Sequence, residues 1–322
     1  MRLPEELRRG IERETAAVDP HLLPRAAREV SESYQRGGPS AAALRSPVHL
    51  AAYLATRLPA TFAANRRVFE EIAERLPGFA PRSLLDLGAG PGTSMWAATD
   101  VFPGLEEITL LEREAQLIAA GRRVAAESRH PAVVAAQWHQ QDILARAAGG
   151  PHDLAVISYA LAEISEKASS QFLRAAWEAA AGLLVVIEPG TPAGFARVLA
   201  ARTALLDWGA NLVAPCPHQQ ACPMAGGDWC HFAVRLERSA AHRRLKQGAL
   251  GYEDEKFSYL VAGRAPVELP AARIVRHPLV RPGHIQLTLC TVRGLEQSTV
   301  TKSEKEAYRR ARRAEWGSPW SG

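Results

Sequence analysis

No apolar run in the chain approaches the roughly 18 residues that a membrane-spanning helix needs. A membrane role has no support here. The first residues, Met1-Arg2-Leu3-Pro4-Glu5-Glu6, have neither a secretory core nor an acid-poor transit composition, so a cytoplasmic setting is expected, and mitochondrial only if the source is a eukaryote. Cysteine is scarce, with four in 322 residues, which excludes a disulfide-built scaffold and leaves thiolate or metal chemistry. Lysine is scarce too: five of the 39 basic residues are Lys, and the rest are Arg, the side chain suited to gripping phosphate. The net charge of +5 hints at a polyanionic partner, although a general compositional bias toward Ala and Arg explains it equally well. With 47% hydrophobic and 23% charged residues, a substantial buried core is expected.

The chain is organised around Ser83-Leu84-Leu85-Asp86-Leu87-Gly88-Ala89-Gly90-Pro91-Gly92-Thr93, an apolar strand that enters a glycine turn and then a helix near Ser94. Closely spaced glycines let the backbone turn sharply and leave N–H groups free beside a helix N-terminus, where a polar cofactor can dock. The dinucleotide fingerprint needs Gly or Ala at position 93; Thr93 stands there, and the third glycine comes one residue early at Gly92. NAD is therefore disfavoured. An acid at the strand end followed by G-x-G-x-G resembles motif I of the class I S-adenosylmethionine-dependent methyltransferases, which assigns Asp86, Gly88, Ala89, Gly90, Gly92 and Thr93 to that cofactor.

Alternating strands and helices follow. Ile108 to Leu111 reads as a second strand ending in Glu112, 24 residues after Gly88, where a carboxylate can accept both ribose hydroxyls. A helix over 115–127 precedes a third strand, Val133 to His139, which leads through Gln140 and Gln141 to Asp142 and Ile143; in the resembled family an acid at that place contacts the adenine amino group. The fourth strand, Asp153 to Ser158, brings Ser158 to the same edge, and the fifth is Leu183 to Gly190. A bare strand-turn-helix corner would leave the acids after the second and third strands unexplained.

Before this core, residues 1–78 read as helices: one around Leu7 and Ile11, one from Leu22 to Tyr34, and apolar helical spacing over 48–58 and 62–76 opened by Ser46 as N-cap with Pro47 at the first helical position. Tyr53 and Arg57 either line the cofactor pocket or serve as ordinary packing and surface residues. Methyl transfer itself has no visible agent. The Asn/Asp-Pro-Pro-aromatic signature of base-amine methylation is missing, since Ser158-Tyr159-Ala160-Leu161 stands there, and no nucleophilic Cys lies near that strand. The catalytic residues stay unassigned, and whether the chain is an enzyme stays open.

After a helix over 192–206, Cys216, Cys222 and Cys230 fall within 15 residues of a Pro- and Gly-rich stretch, and Cys290 sits on a strand over 285–292 that, with Phe257 to Ala262, is expected to close the core sheet. Four thiolates admit zinc or an iron–sulfur cluster. No two cysteines are as close as a zinc knuckle requires, and wide gaps suit a larger cubane. The glycine motif, Leu110-Leu111-Glu112-Arg113, Val186-Ile187-Glu188-Pro189-Gly190-Thr191-Pro192, Cys216-Pro217-His218 and Trp229-Cys230-His231-Phe232 together are similar to the methyltransferase-like family associated with the mitochondrial small ribosomal subunit and its bacterial relatives. The resemblance implies a doubly wound, seven-stranded α/β class I methyltransferase sheet, a [4Fe–4S] cluster on Cys216, Cys222, Cys230 and Cys290, and binding to small-subunit ribosomal RNA during assembly.

Two basic stretches fit an RNA partner. Arg235, Arg238, Arg243, Arg244 and Lys246 are expected on a helix after the cysteine stretch, and Arg309, Arg310, Arg312 and Arg313 on a basic helical tail. The expected organisation is helices over 1–78, a cofactor-binding core over 79–210, a cysteine-rich metal-binding insertion with the basic helix over 211–250, closing strands over 251–295 and the tail over 296–322. The alternatives are an active ribosomal-RNA methyltransferase and a small-molecule methyltransferase with structural zinc. Nothing in the sequence fixes the oligomeric state.

Overall fold

The structure is a computed structural model that describes residues 1–35, 40–143, 150–224, 226–237 and 251–321. The chain divides into two compact units, one of Met1–Ile187 with Val234–Glu255, the other of Glu188–Ala233 with Lys256–Gly322.

The first unit opens with helices α1 (Glu5–Ala16), α2 (Leu23–Gln35), α3 (Ser40–Ala43) and α4 (Pro47–Arg75). Extended backbone at Ser46 and Pro47 in the first turn start α4 as the sequence suggests, but the Ser46 hydroxyl meets His49 Nδ1 at 2.8 Å instead of capping a backbone N–H. The two apolar stretches over 48–58 and 62–76 form one helix of 29 residues that runs through Pro59. Proline brings no N–H to the ladder there. Next to that gap the Thr61 hydroxyl donates to the carbonyls of Arg57 and Leu58, and burial of Leu54, Leu58, Phe62 and Phe69 holds the helix in place.

Strands β1 (Ser83–Leu87), β2 (Glu107–Glu112), β3 (Gln137–Gln140), β4 (His152–Ser158) and β5 (Ala180–Pro189) lie in the order β3-β2-β1-β4-β5, all parallel. Helices α5 (Thr93–Val101), α6 (Ala115–Ala125), α7 (Pro131–Val134) and α8 (Glu166–Ala179) make the crossovers. Strand order reverses between β1 and β4, and in open parallel sheets the crevice outside the carboxyl ends at such a point is where ligands bind. The third strand is shorter than expected. Pro131 starts the short helix α7, so Val133 is helical and only Gln137 to Gln140 reach register with β2.

In the second unit, helix α9 (Pro192–Asp207) leads to β6 (Asn211–Ala214), which pairs antiparallel with β8 (Tyr252–Gly263). Strand β7 (Phe232–Glu237), which like β8 has residues in both units, also pairs with β8. A separate antiparallel sheet holds β9 (Ala272–Ile274), β10 (Leu279–Arg281), β11 (His284–Thr291), β12 (Gly294–Thr301) and β13 (Pro319–Trp320), with helix α10 (Lys305–Ala311) packed on it. The expectation that Ile285 to Val292 closes the core sheet beside Phe257 to Ala262 is therefore corrected. Strand β11 turns directly into β12 as a hairpin, with Gly294 in the left-handed region at φ 120°. The expected tail is corrected as well: Val300, Ala311 and Trp320 are buried with Ala272, Ile274, Ile285, Leu287 and Leu289 in one core. Taken together, the chain is an α/β protein of Rossmann-like type with mixed strand directions.

Candidate functional site

The glycine turn has the backbone that its sequence demands. Gly88, Gly90 and Gly92 have φ of 80°, 55° and 82°, a region that side chains with a Cβ rarely enter. Gly88 and Ala89 donate their N–H groups to the Leu111 carbonyl, and the Gly90 N–H goes to Glu112 Oε2 at 2.8 Å. The second Glu112 oxygen takes the N–H of Glu114, so the acid at the end of β2 is bound to the turn it was expected to accompany. Burial raises the Glu112 pKa, and these N–H groups pull it partly back.

Asp86 is different. Its side chain is 1% exposed, and neither carboxylate oxygen has a hydrogen-bonding partner. Burial pushes its pKa up to about 7; the nearby Ser94 hydroxyl works against that rise, and the charge of Glu112 adds to it. A buried carboxylate whose oxygens lack partners, beneath a turn of left-handed glycines, is an exception to the rule that buried polar groups are hydrogen-bonded. Space above the turn is narrow at Gly92, where a Cβ would come within 2.9 Å of Met95 Cε and the Trp138 ring. Gly92→Ala is accordingly expected to destabilise the protein by about 1–3 kcal/mol, read as a lower melting temperature in calorimetry; an unchanged transition would refute the strain argument.

The remaining expected cofactor residues gather at the same sheet edge. Thr93 begins α5 and is buried. Ser158 ends β4, where its hydroxyl accepts from Asn65 Nδ2 at 2.8 Å. Asp142 and Ile143 follow β3, with Asp142 exposed and Ile143 Cδ1 3.8 Å from where a Gly88 Cβ would be. Tyr53 belongs to this region: its hydroxyl is 3.7 Å from the corresponding point at Gly90. Sequence reasoning missed Tyr159 and Glu255. Tyr159 has a left-handed backbone, φ 58°, and its phenol donates to Glu255 Oε1 at 3.0 Å, with Arg57 3.7 Å from the same oxygen.

All four cysteines line one cavity of the second unit, which holds about 550 Å³ of empty space including its open mouth. Cys216 follows β6, Cys222 and Cys230 lie in the loop before β7, and Cys290 is on β11. Period-two alternation explains the last: Ile285, Leu287 and Leu289 face the core under α10, which turns Cys290 to the opposite face. Phe195, Met224 and Val275 pack against Cys222, Cys230 and Cys290. The surroundings push the thiols toward the neutral form: Cys222 is raised by burial, Cys290 is pushed up to about 12 by burial and by Cys216 and Cys222, and Cys230 is raised well above the ordinary range for the same reasons. His218 Nε2 is 3.6 Å from Cys290 Sγ.

Among the described residues no three His, Cys, Asp or Glu side chains are gathered as one metal ion requires. Four soft donors line a shared, mostly apolar cavity, a donor set whose chemistry suits zinc or an iron–sulfur group.

Over residues 47–321 the chain matches the family described as mitochondrial small ribosomal subunit Rsm22. It belongs to that family. Among its relatives, the human mitochondrial ribosome assembly protein METTL17 is 29% identical over 284 residues, covering 82% of this chain and 61% of the human protein. The mitochondrial Rsm22-cox11 tandem protein 2 of Schizosaccharomyces pombe is 28% identical over 287 residues, covering 73% of this chain and 38% of the yeast protein. This Rsm22-family chain thus spans less than two thirds of either relative. Among solved structures, precorrin-6y C5,15-methyltransferase from Geobacter metallireducens aligns with a TM-score of 0.41 at 15% identity, over 62% of this chain and 85% of that one.

The basic residues of the Rsm22-family chain divide unevenly. Arg235 is on strand β7, not on the helix expected from the sequence; Asp254 takes its guanidinium at 2.8 and 3.0 Å, and the group lies 3.9 Å from the Tyr252 ring centre. Arg238, Arg243, Arg244 and Lys246 lie outside the described residues. Arg309, Arg310, Arg312 and Arg313 are exposed on and just after α10, with Arg310 3.7 Å from Glu306. Two further arginines escaped sequence reasoning. Arg202 and Arg273 are buried and line the cysteine cavity. A signal for them existed: each is a lone charge within an apolar run, Val198 to Leu206 and Ala271 to Val275.

Proposed function

We propose that this chain is an assembly factor of the small ribosomal subunit that binds ribosomal RNA, holds S-adenosylmethionine at the glycine turn, and carries a [4Fe–4S] cluster on Cys216, Cys222, Cys230 and Cys290. What carries the reading is the meeting of four thiols from separate segments at one cavity, in a chain whose family is described by the small ribosomal subunit. METTL17 is named for ribosome assembly, which supports the same role here. When bound, the cluster would supply a rigid four-point tie between the 216–230 loop and β11. The chain's own part is to present the sulfurs from fixed backbone, to exclude water with Phe195, Met224 and Val275, and to hold the loop by the Ser258 hydroxyl donating to the Cys230 carbonyl at 2.7 Å.

At the other site Asp86 is the group for the cofactor's ammonium, Glu112 for its ribose, and Asp142 with Ile143 for its adenine, with Gly88, Ala89, Gly90, Gly92, Thr93 and Ser158 shaping the floor. The unpartnered Asp86 carboxylate is what favours a bound cofactor. It also keeps open a second reading, an active ribosomal-RNA methyltransferase, since the cofactor brings the methyl donor with it. The compartment would be the bacterial cytoplasm, or the mitochondrion in a eukaryote.

Anaerobic purification followed by iron and sulfide analysis tests the cluster; protein with zinc alone or no metal defeats it. Co-sedimentation with small subunits tests the RNA role, and labelled methyl transfer to subunit RNA separates the two readings. The exposed arginines give a sharper test. Replacing Arg309, Arg312 and Arg313 together with Gln is expected to weaken RNA binding about tenfold and to flatten its log–log salt dependence by about 2–3, with the melting temperature unchanged because these side chains are exposed. Unaltered binding and slope would remove this face from the RNA contact.

A further inference from the structure

The cysteine cavity is mostly apolar, and the charged side chains in its lining are two arginines. Arg202, on α9, is 4% exposed; its Nη2 donates to the carbonyls of His218 at 3.2 Å and Gln220 at 2.5 Å, and its Nε is buried without a partner. Arg273, on β9, is 1% exposed and donates to the Pro215 carbonyl at 2.8 Å and the Gly317 carbonyl at 2.5 Å. The two therefore grip the segment carrying Cys216 from its two ends. A guanidinium stays protonated under all ordinary conditions. Burying that charge costs several kcal/mol unless an opposite charge answers it, and carbonyl dipoles answer it only in part. Two acids of the same unit have arginine partners of their own: Glu188 takes Arg197 at 2.6 Å, and Asp228 takes Arg276.

Resting on the cluster reading above, we infer that Arg202 is the counter-charge of a dianionic four-thiolate centre, and that the buried arginine was placed for the centre's charge as well as for the loop's shape. Four thiolates around a doubly positive core, cubane or single ion, leave a dianion in either case, so the inference concerns charge and not the metal's identity. The placement points the same way: both arginines line the cavity that the four cysteines line. A positive charge beside such a centre favours its more negative, reduced state.

The test compares anaerobically reconstituted wild type with R202Q, R202K and the double variant L199K/R202Q, equilibrated with a one-electron dye whose electron enters the centre with no bond or proton moved. Leu199 lines the same cavity from the same helix, so Leu199→Lys would return a cation without returning the fork on the 218 and 220 carbonyls. R202Q is expected to raise the oxidised-to-reduced ratio about tenfold at a fixed dye potential, about 59 mV for one electron. R202K and L199K/R202Q are expected within about twofold of wild type. A double variant that behaves like R202Q overturns the inference in favour of loop positioning alone, as does an R202Q ratio equal to wild type. Should R202Q not fold, L199K alone supplies the test with opposite sign, a shift toward the reduced form; no shift overturns it. Wild-type protein without iron and sulfide defeats the cluster reading first, and is distinguished because it is measured before any variant.

Discussion

Cys222→Ser is expected to empty the cysteine site: anaerobically purified variant should have lost most of its iron and acid-labile sulfide, together with its visible absorbance. The substitution is close to isosteric, so packing around Phe195, Met224 and Val275 changes little, and the effect isolates ligation. Burial holds the free thiols toward their neutral form, and binding of the proposed cluster would order the loop that carries three of its ligands. Loss of the group should therefore lower the yield of soluble protein and the melting temperature of the second unit. Binding of S-adenosylmethionine, followed by calorimetry, is expected to persist, since Asp86 and the glycine turn belong to the first unit. Iron content equal to wild type would remove Cys222 from the ligand set.

What the sequence disclosed of this site and what it hid have different causes. The thiols of Cys216, Cys222 and Cys230 stand in one Pro- and Gly-rich stretch, so their clustering is local and readable. Cys290 comes in from β11, and its arrival was expected from the wrong architecture: alternation over Ile285 to Thr291 marks a strand with one buried face but does not say which sheet the strand joins. The partner was decided by the hairpin with β12, whose alternating exposure reads as polar tail. Cys290 faces the other thiols all the same, because its parity opposes Leu287 and Leu289 whichever sheet carries it.

The glycine turn was readable because only glycine takes left-handed backbone without strain, so Gly88, Gly90 and Gly92 announce their geometry directly. The third strand was misjudged for a comparable reason. Val133 and Val134 favour strands by type, yet Pro131 fits the first turn of a helix and won locally. Arg202 and Arg273 were hidden by the habit of assigning arginine to surfaces in a chain with so many of them. The tie from Tyr159 to Glu255 joins residues 96 apart in sequence, and no spacing rule links them.

Asp86→Asn is expected to act in opposite directions on stability and on binding. In the folded protein the Asp86 pKa is raised to about 7 from its ordinary 3.8 by burial, so the folded state holds this proton over a pH range where the unfolded state has released it. Stability from this group is therefore lost as pH rises through that window, and above it the buried carboxylate costs a few kcal/mol. Asparagine carries no such charge. At pH 8 the ligand-free variant is expected to melt several degrees above wild type, and at pH 4 the two should coincide, a difference that thermal scans across pH read directly. Affinity for S-adenosylmethionine should fall at least about tenfold, because the anion opposite the ammonium has gone while the shape of the turn is unchanged. Above that window the unpartnered carboxylate is thus a cost in the empty protein, one that protonation or a cationic partner would relieve. A variant that gains no stability at pH 8, or that binds the cofactor as wild type does, would show that Asp86 is a buried acid of the core and not the cofactor's anchor.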